Sequence, residues 1–68
     1  MFLRRGKNTN EKRRQELRTE LENAVDALRA NELAFQQSED ALYTEQLIYQ
    51  HDALMCRYRS ILRELRGR

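Results

Sequence analysis

The chain has 68 residues, a net charge of +2 from 13 basic and 11 acidic residues, no proline, two glycines and a single cysteine. That length admits one domain, and chains so short rarely build a self-sufficient core without disulfides, a metal or a partner. One cysteine, Cys56, excludes an internal disulfide, and one histidine, His51, with one cysteine falls short of a zinc ligand set. Oligomerisation is what remains.

Residues 1–9 read as a flexible basic lead carrying Arg4, Arg5 and Lys7 around the helix-breaking Gly6. Met1-Phe2-Leu3 is followed at once by arginines, so no secretory signal is expected. Thr9 or Asn10 can cap the first helix, expected over residues 10–36. Its apolar seam is Leu17, Leu21, Ala24, Leu28, Asn31 and Phe35, in steps of four and three that keep one face. Val25 widens that stripe, and Leu33 points away from it as a scattered surface residue. Asn31 at a seam position has two readings: a polar residue that fixes register, or the wet end of the seam.

Residues 36–40, Gln-Gln-Ser-Glu-Asp, read as the turn, with Ser38 or Asp40 capping a second helix over 40–66. The heptad phase changes here, as a turn or a stutter in one continuous helix would require, and the equal lengths of the two segments, 10–36 and 40–66, favour a hairpin. The second seam runs through Leu47, His51, Leu54, Tyr58, Ile61 and Leu65. Beside it lie Ala41, Ile48, Met55 and Leu62, and behind it Leu42, Tyr49, Ala53 and Cys56. One neighbouring helix cannot cover that much apolar surface. The expected architecture is all-α: a two-helix antiparallel hairpin that pairs with a second copy as a four-helix bundle. The core and self-association residues are Leu17, Leu21, Leu28, Phe35, Leu47, Ile48, Leu54, Met55, Tyr58, Ile61, Leu62 and Leu65.

Charge is segregated along the chain. Residues 1–14 carry +5, residues 57–68 carry +4, and the stretch between carries −7. In a hairpin both termini meet at one end, giving a basic pole of Arg4, Arg5, Lys7, Arg13, Arg14, Arg59, Arg63 and Arg66. That pole reads as an anion-binding surface for nucleic acid, an acidic protein or a membrane surface. The competing reading is that it complements the helix dipole and solubilises the chain. An antiparallel dimer, in which each acidic turn neutralises the other copy's basic pole, is a third. Tyr58 lies between Arg57 and Arg59 but on the seam, so it reads as core rather than as a base-stacking platform. No recognition-helix, zinc-finger or RNA-binding signature accompanies the arginines.

Catalytic patterns fail one by one. The residue three before His51 is Ile48, which excludes the Glu-x-x-His pairs of di-iron bundles. His51 and Cys56 project about 140° apart on a helix, so they cannot pair as base and nucleophile. No phosphate loop or serine nucleophile motif occurs. Cys56 is expected to pack as a small hydrophobe and His51 as a partly buried, hydrogen-bonded seam residue. No run is apolar enough to span a membrane, and a lone cysteine fits a reducing, cytoplasmic compartment. The reading is a non-enzymatic interaction or adaptor module without cofactor, working as a homodimer; the alternative is an accessory nucleic-acid-binding protein.

The segment Ala41-Leu42-Tyr43 through Tyr49, Ala53 and Arg57-Tyr58 to Leu62-Arg63-Glu64-Leu65-Arg66 resembles the YaaL-like family of small bacterial proteins of unknown function. The opening Met1-Phe2-Leu3-Arg4-Arg5 and the acidic Glu39-Asp40 are similar too. The resemblance covers most of the chain. It implies a cytoplasmic helical protein and brings no activity, cofactor or binding residues. His51 and Cys56 depart from the family's pattern.

Overall fold

A computed structural model describes the backbone of residues 2–67 and the side chains of residues 10–67. The chain folds as two antiparallel helices, α1 (Phe2–Gln37) and α2 (Ala41–Arg66), in a rod of 58 × 15 × 14 Å. The hairpin expected from the sequence is therefore present, and the single continuous helix is not. The expected 40–66 helix matches α2 to within one residue.

The start of α1 differs from expectation. The helix reaches back to Phe2, eight residues before the expected beginning near residue 10, so backbone expected as a flexible lead is helical. One glycine costs a helix only about 1 kcal/mol, and no proline or competing cap forces a stop. The side chains of Arg4, Arg5 and Lys7 lie outside the described residues.

Ser38, Glu39 and Asp40 make the turn, and their polar groups hold it. Asp40 is extended (φ −102°, ψ 120°), and its carboxylate accepts from the Leu42 amide at 2.9 Å. That satisfies one of the free amides at the start of α2. Ser38 Oγ donates to the Asp40 carbonyl at 3.2 Å. Its proton is thereby used, so it accepts from Thr44 Oγ1, 2.8 Å away. At the far end the Gly67 amide donates to the Arg63 carbonyl at 2.8 Å, closing α2.

Cross-helix contacts fix the register. Asn31 bonds to Leu47, Arg13 to Glu64 and Arg14 to Leu65, pairs whose residue numbers add to 78, 77 and 79. Residue i of α1 thus lies level with residue 78 − i of α2. At 1.5 Å per residue, the first ten residues of α1 pass about 15 Å beyond the level at which α2 ends.

The core is thin. Leu17, Ala24 and Ile61 form one buried cluster, with Leu21 and Leu65 packed against it, and Leu47 is buried nearer the turn. Leu28, Leu54, Met55, Tyr58 and Leu62 are half-buried. Two expected core residues stand outside: Phe35 is 45% exposed and Ile48 46%. On a straight helix Phe35 is in phase with Leu17, five full turns earlier. A seven-residue seam drifts by about 20° per heptad, and burial near the turn centres on Asn31 and Ser38 instead. The half-buried Ala34 takes the place beside α2.

Asn31 is a seam residue in fact. It is only 6% exposed, and its Nδ2 donates to the Leu47 carbonyl at 3.0 Å. Of the two sequence readings, register fixing holds. His51 and Cys56 correct two others, since both are exposed on the hairpin. His51 lies beside Asp52, Nδ1 to Oδ1 3.8 Å, at the edge of the interhelical groove rather than buried within the seam. Between Leu47 and Leu54 the α2 seam has no buried fourth residue.

Candidate self-association surface

Among the described residues two apolar regions with several members remain uncovered. The first is a groove of about 580 Å³ between the helices, walled by Val25, Leu28 and Phe35 of α1 and Ile48, Met55 and Tyr58 of α2. Their spacing explains it. On α1 these residues occupy the edge of the stripe next to the buried Ala24 and Asn31, and on α2 they are the row beside Leu47 and Leu54. Two cylinders in contact bury one line on each, and the flanking rows diverge to form a trough. Arg29, Glu32 and His51 stand among its polar lining. Sequence reasoning gave Val25 only as a widening of the stripe and put His51 in the core. The signal that could have placed both is the second apolar row at Ile48 and Met55, which needs a facing wall on α1.

The second region is the back of α2. Leu42 is 76% and Tyr49 70% exposed, seven residues apart on one face, and Cys56 continues the same line. The sequence expectation that one neighbouring helix cannot cover α2 is met: α1 leaves both the Ile48 row and the Leu42 row at least partly open.

The expected basic pole divides. Arg13 Nε and Nη2 donate to the two carboxylate oxygens of Glu64 at 3.2 and 3.3 Å, and Nη1 reaches Glu16 at 3.5 Å and Glu20 at 3.7 Å. The hydrogen bonds and charge of Glu64, with help from Glu16 and Glu20, raise the guanidinium's pKa above its ordinary range. Arg14 Nη1 donates to the Leu65 carbonyl at 3.3 Å, a cation on the C-terminal end of α2 where the helix dipole favours it. These two arginines reach across from α1 to the last turns of α2. Arg59, Arg63 and Arg66 are exposed, and among the described residues no carboxylate pairs with them.

Among the described residues no group of three or more His, Cys, Asp or Glu is placed to hold a metal ion, and no helix is long and apolar enough to cross a membrane. Comparison with protein-family models, with curated proteins and with solved structures gave no significant match.

Proposed function

We propose that this chain is a non-enzymatic association module whose working form is a homodimer, two hairpins joined as a four-helix bundle. One observation carries the reading: among the described apolar residues a single hairpin buries only Leu17, Ala24, Leu47 and Ile61 while leaving Phe35, Ile48, Leu42 and Tyr49 exposed. Among the described residues no side chain is fully enclosed. Below about 70–80 residues a core needs an added staple, and with Cys56 unpaired in the chain a second copy supplies it. Uncovered apolar side chains of this size on a small chain point to an association site.

The role that follows is that of an adaptor or regulatory partner, acting through surface rather than chemistry. The free thiol of Cys56 fits a reducing, cytoplasmic setting. Membership of the YaaL-like family stays a proposal on the residues quoted above, and it adds no activity. The test is sedimentation of the full chain at micromolar concentration, where a dimer mass supports the reading and a folded monomer opposes it.

A second reading is binding of nucleic acid. It is favoured by Arg59, Arg63 and Arg66, three exposed arginines without carboxylate partners at one end. It is weakened by Arg13 and Arg14, which the hairpin uses internally. Titrating duplex and single-stranded DNA and RNA at two salt concentrations decides it, since phosphate contacts make affinity fall steeply with salt.

A further inference from the structure

Resting on the self-association reading, we infer which face pairs and in which sense: the interhelical groove seats the same groove of a second copy, antiparallel, about a two-fold axis crossing near Leu28. The argument begins with the register. Counted along α1, Tyr58 is level with residue 20, Met55 with 23 and Ile48 with 30, by the 78 − i relation fixed by the Asn31–Leu47 bond. The groove therefore runs from the level of residue 20 to Phe35, and its middle lies at Leu28.

About that middle the groove is self-complementary. Phe35 lies seven residues toward the turn and Tyr58 eight toward the termini. Ile48 lies two toward the turn and Val25 three toward the termini. A two-fold axis perpendicular to the helices there lays α1 on the partner's α1 and α2 on the partner's α2. It brings Phe35 into one layer with the partner's Tyr58, and Ile48 into one layer with the partner's Val25. Leu28 meets its own copy. Isologous interfaces require this kind of self-matching patch.

Charge selects the antiparallel sense. Glu39 and Asp40 at the turn come level with the partner's Ile61, between the partner's Arg59 and Arg63. Among the described residues no carboxylate pairs with those arginines. The parallel arrangement, with its axis along the helices, sets Glu39 and Asp40 beside their own copies and far from the partner's Arg59 and Arg63. Like charges so juxtaposed repel, and opposite charges set register and orientation. The back of α2, with Leu42 and Tyr49, stays outside this interface.

The experiment is cysteine cross-linking of the full-length chain with Cys56→Ser, oxidised by copper phenanthroline and read on non-reducing gels. Leu28→Cys in that background gives a covalent dimer in most of the sample, because α1 faces α1 at the axis. Tyr49→Cys gives at least tenfold less. Arg29→Cys, on the rim one residue away, gives the same result as Leu28→Cys and covers the case in which that core change loosens the fold. Helical circular dichroism verifies each variant. If the unmodified chain sediments as a dimer but Leu28→Cys and Arg29→Cys fail to cross-link while Tyr49→Cys succeeds, this interface is wrong and self-association stands. If the unmodified chain is a folded monomer, both readings fall.

Discussion

Asn31 Nδ2 donates to the carbonyl of Leu47 at 3.0 Å, and the amide is the one buried polar side chain among the described residues. It joins the last two turns of α1 to the first two turns of α2 and sets their axial register. Leu47 O already belongs to the α2 ladder, so Asn31 uses the carbonyl's second lone pair. Apolar seams slide with little penalty, whereas a buried donor is satisfied at one register alone.

Asn31→Asp puts an acceptor where a donor stands. The charged carboxylate then faces the Leu47 carbonyl in a buried site, and stability at neutral pH falls by roughly 3 kcal/mol in urea titrations at fixed chain concentration. Burial raises the introduced carboxyl's folded-state pKa above the unfolded value of about 3.9. The protonated form regains a donor, so the loss shrinks as pH drops through the folded-state pKa. Asn31→Ala costs less, about 1 kcal/mol, and is insensitive to pH.

Truncation separates the core from the open faces. Leu17→Ala or Ile61→Ala removes part of the buried cluster and costs about 2–4 kcal/mol. Leu42→Ala, at a side chain 76% exposed, changes stability by no more than about 0.5 kcal/mol. Leu54→Asp sets a charge in the half-buried seam and abolishes cooperative melting. Denaturant curves of the four variants provide the comparison.

Asp40→Ala removes the acceptor for the Leu42 amide and destabilises by about 1 kcal/mol, while Asp40→Asn retains most of the cap. Thermal melts of the pair distinguish a lost hydrogen bond from a lost charge.

Arg13→Ala leaves the melt nearly unchanged, although the guanidinium reaches three carboxylates, because all its partners are solvent-exposed and screened. The guanidinium's pKa is raised, so its own titration contributes at every pH below its ordinary range and is lost only in strong alkali. Melts at low and high salt, and across neutral pH, check both statements.

Spacing made the hairpin legible. The seven-residue step of Leu17, Ala24 and Asn31, the phase change at Ser38 and the capping Asp40 each express a local rule that the structure obeys. Phe35, Ile48 and His51 were misread because each helix covers little more than one line of residues seven apart, Leu17, Ala24 and Asn31 on α1 and Leu47, Leu54 and Ile61 on α2, and these three stand beside it. The helical backbone before residue 10 was missed because Gly6 reads as a break, though a single glycine does not stop a helix. The division of the arginines was hidden because Glu64 meets Arg13 only once the register is known.

Equilibrium sedimentation of the full chain across the micromolar range bears on all of this. Two hairpins sharing their grooves give a particle of twice the 8.2 kDa chain mass, dissociating on dilution with loss of helix. A particle of 8.2 kDa that stays helical and melts cooperatively at every concentration contradicts it.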